Sequence, residues 1–273
     1  MISSTPLAEE FWKHGRWEAC PIIDVHGHMG PFFGAYMPRC DPEAMIRTMD
    51  SAGVKLLLFS HHAALFSPDL GNRASIDAVK RYPTRFRAYM VINPSYPVEG
   101  EKDLDLFDSQ RDVFVGLKFL PDYHGRSLAS EGYRAAWEFA DKRKLIVLTH
   151  TWGNSELDGP RQVEICAERY PGVRLLLGHS LSGEWDKAVE LAKRFPNLFL
   201  ELTAVLDDRG VLEKFVGEVG STRMLFGTDL PWFDPHQGIG ALLSAKMSNK
   251  DRHNILHGNA EQLLADRSTT WDV

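Results

Sequence analysis

The sequence predicts a closed (β/α)8 barrel, a TIM barrel, behind a short N-terminal extension. Apolar runs of strand length alternate with amphipathic stretches of helix length along nearly the whole chain. About eight such runs are found, with starts roughly 25 to 33 residues apart, the size of one βαβ unit. The 273 residues, 44% of them hydrophobic, suit one large core, and α/β barrels routinely reach about 250 residues as a single domain. Residues 1–273 are therefore expected to form one domain, with 1–20 as the extension. An open doubly wound sheet is the alternative, but no GxGxxG follows any strand.

The elements can be justified in order. Phe11, Trp12 and Trp17 can form one apolar helix face across an end of the domain. Ile22 to His28 opens the sheet as a short apolar run. Asp41 is an N-cap, Pro42 suits the first helical position, and Gly53 ends that helix at C′. Strands follow at Val54 to Ser60, Phe86 to Ile92, Val113 to Phe119 and Leu145 to Thr149, then at Val173 to Leu177, Asn197 to Leu202 and Met224 to Phe226. Helices are expected at Asn72 to Tyr82, Leu104 to Arg111, Ser130 to Lys144, Gln162 to Tyr170, Glu184 to Phe195 and Arg209 to Val219. The last helix, Ser248 to Ala265, starts with Ser248 and Asp251 at capping-box spacing. Continuous Val/Ile/Leu strands between amphipathic helices indicate a parallel sheet covered on its faces.

Composition excludes several classes of function. A net charge of −6 without a sustained basic run gives no footprint for nucleic acid. No apolar run approaches the roughly 20 residues that span a bilayer, and Met1 to Glu10 lacks the pattern of a signal peptide. Cys20, Cys40 and Cys166 are odd in number and widely spaced, which argues against a disulfide scaffold and against a thiolate metal site. A cytoplasmic location is expected, with no membrane or nucleic-acid partner.

Reactive groups of such a barrel lie at the C-terminal strand ends. The first strand leads to His26 and His28, which share a face if strand geometry persists through Gly27. The fifth leads to His150, the sixth to His179, and the eighth to Asp229. A His-x-His pair alone is equally compatible with two surface histidines. Imidazoles plus one carboxylate on one rim, however, are the inventory of a catalytic zinc-type site. Lys118, with Leu117 and Phe119 facing the helices, should point into the barrel, where an unpaired ammonium is costly.

These positions sit in motifs that resemble the metal-dependent amidohydrolase superfamily, in its amidohydrolase-related (amidohydrolase family 2) branch. The motifs run from Asp24-Val25-His26-Gly27-His28 through Tyr82-Pro83, Val91-Ile92-Asn93-Pro94 and Gly116-Leu117-Lys118. They continue at His150, Gly178-His179-Ser180, Phe226-Gly227-Thr228-Asp229-Leu230-Pro231 and Gly258-Asn259-Ala260. The resemblance implies that His26, His28 and His150 are metal ligands and that Asp229 is a further ligand or the base. It implies that His179 polarises the substrate beside the metal. Lys118 would bind a second metal after carbamylation, or bind or pair with a carboxylate. Zinc is the expected ion, with manganese or another divalent ion as alternatives, and one ion is favoured over two. One departure is Leu181 after His179-Ser180, where the branch often has glycine.

The leading expectation is a hydrolase that turns metal-activated water on an amide, ester or lactone carbonyl of a small substrate, one that carries a carboxylate. A divalent ion brings the pKa of bound water to about 7 and acts as a Lewis acid. Alternatives are a metal-dependent decarboxylase of an aromatic or unsaturated acid, and a non-catalytic barrel used for protein interaction. Phe32, Phe33, Trp152, Trp232 and Phe233 follow strand ends and can wall a pocket, with His61, His62, His124 and His236 as further lining candidates. Arg39 and His124 can add positive charge for a carboxylate. Glu201 and Thr203 are as compatible with structural hydrogen bonds as with catalysis. His253 and His257, at i, i+4 without the glutamate of HExxH, read as structural. Barrels of this branch are often dimers, so a homodimer is a possible assembly.

Overall fold

A computed structural model describes residues 5–205 and 208–265. Eight strands lie in the order of the chain, all parallel: β1 (Ile22–Met29), β2 (Val54–His61), β3 (Phe86–Val91), β4 (Phe114–Phe119), β5 (Ile146–Trp152), β6 (Arg174–Ser182), β7 (Leu198–Glu201) and β8 (Met224–Leu225). Residues beyond β8 complete the ring against β1. Val25 N–H donates to Phe226 O at 2.9 Å, His28 N–H to Leu230 O at 2.7 Å, and Asp229 N–H to His26 O at 2.8 Å. The outer layer comprises α1 (Pro6–His14), α2 (Pro42–Ala52), α3 (Pro68–Arg81), α4 (Pro97–Ser109), the single turn α5 (Pro121–His124), α6 (Arg134–Arg143), α7 (Pro160–Arg169), α8 (Trp185–Arg194), α9 (Val211–Glu218), α10 (Pro235–Ser244), α11 (Asn249–His253) and α12 (Asn259–Ala265). None of the described helices is long and apolar enough to cross a membrane.

Several helices start earlier than the periodicity predicts, and the cause is shared. Those expected at Asn72, Leu104 and Gln162 begin at Pro68, Pro97 and Pro160, each proline in the first turn. A proline with no N–H to satisfy and φ already helical opens a helix as readily as it stops one. The same device starts α10 at Pro235, with the Asp234 side chain accepting from His236 N–H; no helix was expected there. In the N-terminal segment Phe11 and Trp17 are buried, whereas Trp12 is exposed and Trp17 lies beyond the helix. The last helix keeps the Ser248–Asp251 capping box but is interrupted by a π-turn at Asn254–Gly258.

The faces of β1 are set by an irregularity. Ile23 and Val25 belong to the cluster inside the barrel, with Leu58, Tyr89 and Leu148. Strict alternation would send His26 outward. The register shifts between Asp24 and Gly27, and Gly27 turns toward Leu57, whose side chain would lie 2.6 Å from an added Cβ. The bulge therefore lets His26 and His28 follow Val25 inward. Asp24, fully buried, fixes this geometry. Its carboxylate accepts from His26 N–H at 3.0 Å and Thr228 N–H at 3.2 Å, and also from the Thr228 hydroxyl.

The end of β6 is the other unusual segment. His179, Ser180 and Leu181 have φ of +67°, +50° and +57°, a left-handed run with no glycine in it. Hydrogen bonds to both neighbouring strands hold it. Leu181 N–H donates to Thr151 Oγ1 at 3.0 Å, and Ser180 Oγ donates to Glu201 O at 2.7 Å. A left-handed L-residue costs about 1–2 kcal/mol, so glycine at 181 would relieve the backbone. Leu181 is fully buried in the core, however, and removing such a side chain costs about 2–5 kcal/mol. Burial wins, which accounts for leucine here. Leu181→Gly is expected to lower stability by about 1–3 kcal/mol in urea denaturation; a stabilised variant would show that strain dominates.

Asp158, fully buried before α7, has neither carboxylate oxygen hydrogen-bonded, and burial pushes its pKa up to about 6. A carboxyl whose folded pKa exceeds its unfolded value destabilises the fold when it ionises. The penalty is absent below about pH 4 and complete above about pH 6. Asp158→Asn is thus expected to stabilise at pH 8 by up to about 2 kcal/mol and to do nothing near pH 4. Equal effects at both pH values in urea titrations would refute this origin.

Candidate metal centre and active site

The strand ends bring together the side chains that the sequence scatters over more than two hundred positions. His26, His28, His150, His179 and Asp229 are all buried at the C-terminal rim. Asp229 Oδ1 stands 3.1 Å from both His26 Nε2 and His28 Nε2, yet in hydrogen-bonding geometry with no partner. The His26 ring lies 5.4 Å from His28, 6.2 Å from His150 and 5.2 Å from His179, centroid to centroid. Asp229 itself has φ +62°, so this buried rim position too carries backbone strain.

Each imidazole is aimed from behind. His26 Nδ1 donates to Glu201 Oε2 at 2.8 Å, and His150 Nδ1 to Asp122 Oδ1 at 3.3 Å. His179 Nδ1 lies 3.3 Å from Thr203 O, which can only accept. Ser60 Oγ lies 3.2 Å from His28 Nδ1. With the Nδ1 atoms turned outward and engaged, the Nε2 lone pairs face the rim, the arrangement that orients imidazoles toward a metal. Glu201 is completed by Thr203, whose N–H and Oγ1–H donate to Oε1 at 2.7 and 2.6 Å, while His179 N–H donates to Oε2 at 3.2 Å. There is no room for a side chain beside it: an added Cβ at Gly227 would lie 1.9 Å from Glu201 Oε1.

The electrostatics keep Asp229 ionised and set burial against protonation of the imidazoles. Burial lowers the pKa of His26, His28 and His150, with Lys118 lowering all three further. Burial brings His179 down to about 4. For Asp229 burial acts upward, but the imidazoles of His26, His28 and His179 outweigh it and hold the carboxyl well below the ordinary range. Lys118 does point inward. It is fully buried with Nζ 2.8 Å from His26 Nε2, and burial pushes its pKa down to about 8.

This donor set fits a divalent cation. His179 Nε2 and Asp229 Oδ1 are buried polar atoms without a hydrogen-bond partner, a costly state unless something else satisfies them. Two sets of three ligand atoms, from His26, His28 and Asp229 and from His26, His150 and His179, lie within 4.8 Å of one another. Imidazole nitrogens with one carboxylate suit zinc or a comparable transition ion.

A cavity of about 170 Å³ opens onto this cluster, lined by His28, His150, His179, Asp229 and Ala204, with walls of Phe32, His62, Leu65, Leu120, Tyr123, Trp152, Trp232 and Phe233. The Trp152 indole stacks on His179 at 4.4 Å and 12°. His62 stacks on His28 at 5.0 Å and 7°, donates from Nδ1 to Gly30 O at 2.6 Å, and accepts the Trp232 indole N–H at 3.1 Å. A larger cavity of about 670 Å³, near Arg16, Asp50 and Arg87, lies at the opposite end of the strands and touches none of these groups.

Three other histidines expected at the pocket are placed elsewhere. His61 turns from the cavity to accept Ala63 N–H at 3.1 Å and to cover Gly30. His124 donates to Leu65 O and accepts from Tyr133 Oη, both at 2.8 Å, behind the wall. His236 sits at the start of α10 between Asp234 and Gly15 O, its ring 5.9 Å from Phe11. Each satisfies backbone or neighbouring polar groups, so the sequence cue, a histidine after a strand, did not distinguish support from lining. Arg39 is exposed and Phe33 projects into solvent. Of the residues that sequence reasoning passed over, Tyr123 lines the cavity, while Asp122, Ser60 and Thr151 bond to His150, His28 and the end of β6. Only the one-turn helix after β4 could have flagged the first two.

Comparison with known proteins identifies the fold and the family. The "Amidohydrolase" family model matches residues 23–265. No curated protein matches the chain. Among solved structures, an uncharacterized TIM-barrel protein from Bordetella bronchiseptica superposes with a TM-score of 0.75 at 20% identity, over 90% of this chain and 98% of that one. A 2,6-dihydroxybenzoate decarboxylase in complex with 2,6-dihydroxybenzoate gives 0.73 at 15% identity, over 91% and 99%. A 5-carboxyvanillate decarboxylase from Novosphingobium aromaticivorans, complexed with manganese and 4-hydroxy-3-methoxy-5-nitrobenzoic acid, gives 0.72 at 14%, over 90% and 96%. At such identities these likenesses establish the fold; the family follows from the match over 23–265, and the chain belongs to the amidohydrolase family.

Proposed function

We propose that the chain is a metal-dependent decarboxylase of a small aromatic or unsaturated acid. The observation that carries this reading is the cavity: aromatic and aliphatic walls close over a floor whose polar groups are the histidines and Asp229. At about 170 Å³ it is smaller than the roughly 300–1,000 Å³ typical of ligand pockets, and suits a single ring. Loss of carbon dioxide disperses the carboxylate charge, so moving the acid out of water into an apolar chamber favours the reaction. His26, His28, His150 and Asp229 would hold the ion, and the chemistry it would supply there is Lewis-acid charge toward substrate oxygen. One ion is favoured, with zinc expected from the donor set and manganese suggested by the decarboxylase of similar fold.

The chain's own groups supply the rest. Asp229 and His179 carry free atoms at the floor of the cavity, placed to pass a proton drawn from solvent to the ring carbon as its bond to the carboxylate breaks and carbon dioxide leaves. Trp152, Tyr123 and Trp232 orient a flat substrate and exclude water. Lys118, buried against His26, contributes positive charge below the floor.

Hydrolysis of an amide, ester or lactone is the second reading, supported by the same two free atoms, which equally suit a base for water and a donor to a carbonyl oxygen. A non-catalytic barrel has less support, because that descent removes ligand residues and the whole set is present here.

Three measurements test the reading. Metal-loaded protein should release one carbon dioxide per product from hydroxylated benzoates and related acids; turnover of lactones or esters with no carbon dioxide from any acid would overturn it in favour of hydrolysis. Asp229→Asn should cut kcat at least about 100-fold with an unchanged circular-dichroism spectrum, and near-normal turnover would remove Asp229 from its role. Trp152→Ala should raise KM about 10-fold through lost stacking on substrate and on His179; an unchanged KM would place the substrate elsewhere.

A further inference from the structure

At the opposite end of β1 the fold assembles a second set of metal-ligating side chains. Cys20, two residues before the strand, is fully buried, and its Sγ lies 3.6 Å from His253 Nδ1. His253 Nδ1 in turn lies 3.1 Å from His257 Nε2. The three ligand atoms are all within 4.8 Å of one another. Cys20 is separated from His253 by 233 positions, so neither the cysteine spacing nor the i, i+4 histidines revealed the cluster.

The protons argue for a cation. His257 Nδ1 lies 2.9 Å from Glu261 Oε1 and donates to it, which leaves His257 Nε2 as a bare lone pair aimed at His253. This is the carboxylate–histidine arrangement that orients a zinc-bound imidazole. Without an ion, one shared proton, on His253 Nδ1, separates the two nitrogens. The backbone is also unusual here, because the π-turn Asn254–Gly258 starts directly after His253 and contains His257; the two rings stand at 90°. Such turns recur at functional sites.

The geometry points to a zinc site at the base of the barrel formed by Cys20 Sγ, His253 Nδ1 and His257 Nε2, independent of the catalytic cluster. One thiolate with two imidazoles is a donor set that zinc favours. Binding displaces the Cys20 thiol proton to solvent and moves the His253 proton from Nδ1 to Nε2, so one proton is released per ion. Burial pushes the free Cys20 thiol up to about 12, so without a cation it stays protonated. His257 is partly exposed, which gives an ion a route in. The site would lie about 20 Å from His26 along β1 at strand rise and would tie the chain before the first strand to the helix after the last.

Cobalt reports on this site selectively, because the catalytic cluster contains no thiolate. Chelator-stripped full-length protein titrated with Co²⁺ should develop a near-ultraviolet thiolate-to-cobalt charge-transfer band, saturating at one thiolate-bound ion per chain, and Zn²⁺ should bleach it. The band should vanish in Cys20→Ser, form with at least 10-fold weaker affinity in His257→Gln, and persist unchanged in Asp229→Asn. No band in the parent protein, a band that survives Cys20→Ser, or failure of Zn²⁺ to bleach it would overturn the assignment. If Cys20→Ser does not fold, His257→Gln decides alone, and unchanged cobalt affinity in it overturns the ligand set.

Discussion

The carboxylate of Glu201 holds three parts of the rim in register. One oxygen accepts from His26 Nδ1 and from the backbone of His179, and the other from the backbone and hydroxyl of Thr203. Buried as it is, such a group is tolerable only when its lone pairs are used. Its position settles which nitrogen of His26 faces inward, and the Thr203 carbonyl beside it does the same for His179. Gly227 is required because Glu201 occupies the space a side chain would take. The rim imidazoles and Asp229 are thus the visible layer of a polar network that runs through β1, β6, β7 and the end of β8.

That network also accounts for where the backbone is strained. His179, Ser180, Leu181 and Asp229 are left-handed without being glycine, each near a hydrogen bond to Glu201, Thr151 or His26. The rest of the barrel is regular enough to absorb the cost, with apolar residues layered inside and out. Strain here serves aim. A relaxed strand end would carry His179 and Asp229 past the rim rather than across it.

The barrel and the inward set of His26, His28, Lys118, His150, His179 and Asp229 were legible because strand period and strand order are written locally, and a barrel converts strand ends into neighbours. What was not legible depended on packing. A proline that opens a helix ahead of the apolar period adds no periodic signal of its own, which concealed α10 and shortened the expected α3, α4 and α7. The histidines at 61, 124 and 236 differ from those at 26 and 150 only in what stands behind them. His62, beside one of them, lines the cavity because Gly30 O and the Trp232 indole hold it there. The two imidazoles share a face by alternation through Gly27, and the register shift between Asp24 and Gly27, which the sequence does not announce, turns that face inward.

The seam between β1 and the end of β8 carries a consequence for how the chain matures. Asp229 N–H bonds to His26 O, and Asp24 clamps Thr228, so the first strand finishes its hydrogen bonding only with residues made some two hundred positions later. At about 5–20 residues per second of synthesis, the histidines of β1 wait roughly 10–40 seconds for the carboxylate that completes their cluster. Six or seven strands can pair in sequence during that time, but the ring cannot close. An ion held by this complete cluster would therefore be acquired only at closure, out of reach of a partly synthesised chain.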